Sequence, residues 1–276
     1  MGAGRFNRLD YVERSVACGK VEINYASWPG DGPPLLLIHG LSSRWQTWLN
    51  VLPLLQPRWR LTAIDLRGHG KSGRPAEGYP LAGYAADVEA FIGQVFRGPI
   101  RVVGHSLGAM TTMVVASSAP HLVLAAVLED PPIYAYCRPE GAKRFALTHE
   151  MASLRLPVEK IAERILRERP ETPVEQALAS AENWRMLDPR TVGGVVDGSR
   201  MWDDAIEGAM RGVTCPTLLL QGNPELGGAL YDAESDRAAS LMKCCTIVRW
   251  PETGHGMHQT RPADFVAAVD RHFKGA

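Results

Sequence analysis

One five-residue stretch constrains this chain more than any other: Gly104-His105-Ser106-Leu107-Gly108. It follows the apolar run Pro99-Ile100-Arg101-Val102-Val103 and opens a segment rich in small residues from Ala109 to Ala119. That order predicts a strand, a sharp turn and a helix. The turn holds Ser106 in a strained backbone conformation, and a Cβ on either flanking residue would collide with the neighbouring strand or helix. Ser106 then stands clear of the sheet above a helix N-terminus, the positive end of the helix dipole. A hydroxyl presented this way is a candidate nucleophile.

The rest of the chain has a matching rhythm. Short apolar runs ended by glycine or an acid recur at Leu35 to Gly40, Arg60 to Asp65, Ile100 to Gly104, Leu122 to Asp130, Thr217 to Gly222 and Thr246 to Trp250. Helical patterns separate most of them, at Thr47 to Leu55, Leu81 to Phe96, Leu107 to Ala119 and Ala263 to Phe273. Val16 to Ala26, alternating around Gly19-Lys20, predicts an N-terminal hairpin. Strands alternating with helices predict the α/β class, a mostly parallel central sheet with helices on both faces. Pro131 to Arg211 breaks the rhythm: it has helical patterns (Gly141 to Ser153, Val158 to Arg169, Val174 to Met186, Val192 to Met210) and no convincing strand. The expected organisation is a core of residues 1–130 and 212–276. An all-helical cap, 131–211, is inserted between the sixth and seventh strands, over the strand ends where open α/β sheets bind ligands.

Composition narrows the function. Thirty Lys and Arg balance thirty Asp and Glu, and without a basic stripe that argues against a nucleic-acid partner. Leu35 to Ile38 and Leu122 to Leu128 are far too short to span a bilayer. Met1 to Arg14 is polar and charged, unlike a signal peptide, so a cytoplasmic protein without a membrane partner is expected. The five cysteines include no Cys-x-x-Cys pair and suggest neither a disulfide framework nor a metal site. Gly70-Lys71-Ser72 has the form of a phosphate-loop ending, but Asp65 stands where that loop needs its first glycine. With no G-x-G-x-x-G segment either, no cofactor is expected.

Four further segments carry a resemblance. His39-Gly40-Leu41 ends the third strand, Asp65-Leu66-Arg67-Gly68-His69-Gly70-Lys71-Ser72 follows the fourth, Leu218-Leu219-Leu220-Gln221-Gly222 forms the seventh, and Gly254-His255-Gly256 lies near the C-terminus. Together with the serine turn they make the chain resemble, over nearly its whole length, the α/β-hydrolases with a helical cap. The order serine, acid, histidine is also theirs. The resemblance implies Ser106 as nucleophile, His255 as its base, and an oxyanion hole made by the N–H groups of Leu107 and Leu41. His258 is the rival base, read as a loop residue, while His105 is read as packing and His39 as support for the oxyanion loop.

Two carboxylates compete for the acid. Glu225 follows the seventh strand, where most of these enzymes place it. Asp130 ends the sixth, the position used by haloalkane dehalogenases and zearalenone lactonases. The rigid mounting between an apolar strand and Pro131-Pro132 favours Asp130, with Glu225 as the alternative, and Glu129 should point the opposite way. A serine nucleophile excludes the haloalkane dehalogenase and epoxide hydrolase branches, which need a carboxylate there. The expected reaction is hydrolysis of a carboxylic ester or lactone through an acyl-enzyme. Its alternatives are a cofactor-free carbon–carbon bond hydrolase or perhydrolase and, in another class, a ligand receptor with vestigial hydrolysis. Gly40, Trp45, Trp184, Trp202 and Met257 are substrate-binding candidates, with Trp48 in a similar segment. They suggest an apolar or aromatic small-molecule substrate, with a homodimer as the candidate self-association.

Overall fold

The structure, a computed structural model, describes residues 10–134, 140–198 and 206–275. Its eight strands form one sheet in the order β1-β2-β4-β3-β5-β6-β7-β8. The hairpin of β1 (Val12–Cys18) and β2 (Val21–Ser27) is antiparallel, and β2 also runs antiparallel to β4 (Arg60–Ile64). Beyond it all pairings are parallel, through β3 (Pro34–Ile38), β5 (Ile100–His105), β6 (Val123–Glu129), β7 (Thr217–Gly222) and β8 (Cys245–Trp250). The central strands are largely apolar because helices cover both faces. Leu35 to Ile38 of β3 have no exposed surface.

On one face lie α1 (Leu52–Leu55) and α11 (Pro262–Lys274), which close a core around Trp48, Leu52, Phe265 and Phe273. On the other lie α2 (Leu81–Val95) and α3 (Leu107–Ser118), joined by Leu230, Ala238 and Met242 from the segment carrying α9 (Asp232–Leu241). The Thr47 to Leu55 segment is not one helix. A 3-10 turn, Trp45–Asn50, precedes α1, and Pro53 in the first turn of α1 lacks the N–H that a longer helix would need.

Between β6 and β7 the described residues are helical or irregular, with no strand. The helices are α4 (Glu140–Leu154), α5 (Val158–Glu168), α6 (Val174–Arg185), α7 (Arg190–Val196) and α8 (Ile206–Gly212). Helices α4, α5 and α6 enclose a small core of their own around Met151, Ile161, Ile165 and Trp184. Helix α8 differs, for Ile206 and Met210 enter the large core and Gly212 abuts Ser117 of α3. That helix therefore packs with the sheet-covering layer, although Val192 to Met210 reads in sequence as one cap helix. The two bodies meet where Leu41 and Phe145 pack on Ala152, Leu187 and Val192. No helix among the described residues is long and apolar enough to cross a membrane.

Candidate active site

Ser106 sits between β5 and α3 with φ 53° and ψ −116°, a left-handed conformation that costs on the order of 1–3 kcal/mol for a residue with a side chain. Its N–H donates to Glu129 O (2.9 Å) and its carbonyl accepts from Met110 N (3.0 Å), which lock the turn to β6 and to the helix. A Cβ on Gly104 would run into the Gly108 carbonyl, and one on Gly108 into the Ile38 carbonyl, the physical reason for both glycines. Leu107 is the first residue of α3, so its N–H has no acceptor within the helix.

Two loops converge on this turn. His255 follows β8, and its Nδ1 donates to Asp130 Oδ2 at 2.7 Å. Asp130 is fully buried, directly follows β6 with φ 45°, and accepts two backbone N–H groups besides: Gly222 N on Oδ1 (3.1 Å) and Ala229 N on Oδ2 (2.7 Å). Three donors compensate the cost of burying this carboxylate. Glu225 instead lies exposed on a 3-10 turn, Pro224–Leu226. The structure thus bonds His255 to Asp130, ties the Ser106 turn to the same end of β6 through Glu129 O, and leaves Glu225 exposed.

The Gly40-Leu41-Ser42 loop covers the serine closely. A Cβ on Gly40 would lie 2.8 Å from His105 Nδ1 and 2.9 Å from Ser106 Cβ. Two buried imidazoles hold this loop. His39 Nδ1 donates to Gly40 O (2.7 Å) while its Nε2 accepts from Leu66 N (3.0 Å). His69 Nε2 accepts from Ser42 N (3.2 Å) while its Nδ1 donates to Arg67 O (2.9 Å). Burial pushes His39 down to about 4 and His69 to about 3, so both stay neutral and keep one donor and one acceptor each. Asp65 extends the brace, with Oδ1 accepting from Trp45 N (2.9 Å) and Oδ2 from Asn24 Nδ2 (2.8 Å) and Lys71 N (3.1 Å). Of the four non-glycine residues with positive φ among the described residues, Ser42, Ser106 and Asp130 belong to this site. Strained backbone gathers where function requires a fixed geometry.

The aromatic candidates have other partners. Trp45 packs on Trp28 and Tyr11, and its Nε1 donates to Glu13 (3.2 Å). Trp184 belongs to the inner core of the helical insertion and Met257 to the core beneath α11. Trp202 lies outside the described residues. Trp48 packs on the His258 ring, with centroids 4.4 Å apart.

His258 is no loop residue in the ordinary sense. It is fully buried at the start of α10 (Met257–Thr260). Its Nδ1 donates to the Glu129 carboxylate (2.8 and 2.9 Å), and its backbone N–H donates to the same group (2.9 Å). Glu129 does point away from Asp130, and this is the partner it finds. Sequence reasoning missed the pair, although a glutamate inside the apolar run Val123–Glu129 signals a buried charge needing one. With His105, these residues bring three potential metal-ligand atoms within 4.8 Å of one another. The carboxylate–imidazole separations are hydrogen-bond lengths, however, and shorter than the roughly 3.3 Å between neighbouring ligand atoms on a tetrahedral zinc.

Comparison with known proteins agrees with this architecture. The chain is 35% identical over 120 residues to the 2-(acetamidomethylene)succinate hydrolase of Mesorhizobium japonicum, covering 44% of this chain and 43% of that protein. It is 36% identical over 122 residues to the 2-hydroxy-6-oxo-6-(2'-aminophenyl)hexa-2,4-dienoic acid hydrolase of Metapseudomonas resinovorans, covering 43% and 42% respectively. Each match spans less than half the length of these curated relatives. The fold of the whole chain resembles solved structures of E-2-(acetamidomethylene)succinate hydrolase (TM-score 0.79, 24% identity, 96% of this chain and 100% of that one) and of the N-formylmaleamic acid deformylase of Pseudomonas putida S16 (TM-score 0.77, 22% identity, 94% and 100%). A sequence profile of the alpha/beta hydrolase family matches residues 35–269, and with the sheet order and the serine turn already described, the chain belongs to that family.

Proposed function

We propose that this enzyme is a serine hydrolase that cleaves a carbon–carbon bond beside the keto group of an unsaturated keto acid, without a cofactor. The observation that carries the serine chemistry is the 2.7 Å bond from His255 Nδ1 to a buried Asp130. It fixes the imidazole tautomer and leaves Nε2 to take the proton of Ser106. Ser106 Oγ adds to the ketone carbon, and the N–H groups of Leu107 and Leu41 stabilise the oxyanion. Collapse of the oxyanion breaks the carbon–carbon bond. In the keto tautomer of such an acid, reached by moving the enol proton to the carbon beside the ketone, the bond's electron pair delocalises through the remaining double bond onto the second keto oxygen, and the resulting dienolate takes a proton from His255. Water, deprotonated by the same imidazole, then releases the acyl group from Ser106 as a carboxylic acid. Support for this substrate class comes from the aminophenyl-hexadienoic acid hydrolase match, because a substrate of that name carries no ester or amide to cleave.

Ester or lactone hydrolysis is the second reading, since the same groups perform it. In either case the helical insertion is the part proposed to select the substrate.

The test is kcat/KM for a 6-aryl-2-hydroxy-6-oxohexa-2,4-dienoate, followed by loss of its dienol absorbance, against a panel of p-nitrophenyl esters. Cleavage of the dienoate well above any ester, abolished in Ser106→Ala, is the expected result. Fast ester turnover with an inert dienoate would replace the first reading by the second. Tight dienoate binding with neither turnover would point to a receptor.

A further inference from the structure

His105, the second residue of the serine turn, has no part in the proton transfers just described. Its Nε2 donates to the backbone carbonyl of His255 at 3.0 Å, and its ring packs on the His255 ring with centroids 4.6 Å apart. We propose that His105 is a positioning residue, tying the nucleophile turn to the base loop through the His105 Nε2–H···O=C His255 bond. It thereby keeps His255 in register with Ser106.

Three observations lead there. The direction of the bond is unambiguous, because a backbone carbonyl only accepts and His105 must therefore carry its proton on Nε2. Burial, with two further imidazoles nearby, holds His105 well below the usual histidine range, so the ring is neutral and has that proton alone to give. Its other nitrogen, Nδ1, is buried without a hydrogen-bond partner, beside the Cα of Gly40. An apolar side chain of similar volume would pack at this point with no orphan acceptor, so stability alone argues against an imidazole here. What the imidazole adds is one bond, and it reaches the residue that carries the base.

The loop has a second anchor three residues on, where Glu129 grips both the backbone N–H and the ring of His258. The His105 and His258 rings lie 4.9 Å apart. Consecutive carboxylates at the end of β6 therefore hold His255 and His258 from two sides, while His105 fixes the carbonyl of the first. Without the His105 bond, the stretch between Thr253 and Met257 keeps its ends but loses its link to the serine turn. A shift of about 1 Å between a base and its nucleophile can cost about 100-fold in rate.

The inference rests on the serine-hydrolase reading, and its test separates the two. His105→Leu removes the donor, whereas His105→Gln places an amide N–H near the position of Nε2. Two quantities are measured: the rate at which a fluorophosphonate labels Ser106, and the downfield proton resonance of His255 Nδ1–H, which the Asp130 bond shields from solvent exchange. His105→Leu should label about 10- to 100-fold more slowly, with a broadened resonance and a melting temperature at or above that of the wild type. His105→Gln should recover most of both signals. If His105→Leu does not fold, His105→Asn, polar but one bond too short, takes its place. Equal labelling and an equally sharp resonance in wild type, Leu and Gln would overturn the inference, as would equal loss in Leu and Gln. If wild-type Ser106 resists labelling while the resonance responds as expected, the serine-hydrolase reading falls and the positioning role stands.

Discussion

Replacing Asp130 by asparagine tests the acid in an unusually constrained setting. Both carboxylate oxygens accept backbone N–H groups, Gly222 N at 3.1 Å and Ala229 N at 2.7 Å, and Oδ2 also takes His255 Nδ1. The amide must therefore turn its NH2 toward one donor or the other. With its oxygen at the Oδ2 position it keeps the Ala229 and His255 bonds and loses only the longest, to Gly222. The reverse orientation loses the Ala229 bond and forces His255 into the wrong tautomer. The first should prevail, so Asp130→Asn removes the charge while leaving the imidazole oriented. A charge-assisted bond exceeds a neutral one by roughly 1–2 kcal/mol in the ground state, and by more once the imidazolium forms. The expected loss in kcat is thus on the order of 100-fold. A loss nearer 10⁴ would signal the flipped amide and the wrong tautomer. The unsatisfied Gly222 N–H costs about 1–3 kcal/mol of stability, so kcat is normalised by titrating active sites in the folded fraction. Glu225→Gln is the control and should stay within twofold of wild type. An Asp130→Asn enzyme within a few-fold of wild type, or a Glu225→Gln enzyme that is dead, would refute the reasoning.

Three further outcomes follow from the same geometry. Gly40→Ala sets a methyl 2.8 Å from His105 Nδ1 and 2.9 Å from Ser106 Cβ, and should lower kcat at least 100-fold with a modest change in melting temperature, read by paired kinetics and thermal denaturation. His39 and His69 are buried neutral, pushed down to about 4 and 3, so the unfolded chain binds protons near pH 6.5 that the native chain refuses. Their contribution is present above about pH 6.5 and lost as pH falls toward 4 and then 3, on the order of 3 kcal/mol for His39 alone; urea midpoints should drop across that window, and less steeply in His39→Gln. Trp184→Ala empties the centre of the inner core of α4, α5 and α6 and should cost about 3–5 kcal/mol of stability there, seen as faster amide exchange confined to those helices.

What was legible in the sequence, and what was not, divides along a physical line. Ser106 and its glycines were readable because a strained turn between a buried strand and a buried helix permits few residues, and the elements on either side have strong periodicity. Helix α9 went unread because Asp232–Leu241 buries little beyond Ser235 and Ala238, leaving no apolar stripe to detect. The tryptophans misled for the opposite reason: Trp45 and Trp184 are large and apolar, and such residues fill cores more often than pockets. The choice between Asp130 and Glu225 depended on where a loop carries a carboxylate, which spacing along a chain does not determine. At the end of β6, Asp130 meets the Gly222 and Ala229 N–H groups and His255 Nδ1, whereas Glu225 lies exposed. The same logic explains why the pairing of Glu129 with His258 is not readable from the sequence. Each alone is an ordinary surface-type residue, and only the alternation of side chains at the end of β6 assigns two consecutive carboxylates to two different histidines. One carboxylate orients the proposed base and the other pins the loop that carries it, so a two-residue segment governs the position of His255 in both ring and backbone.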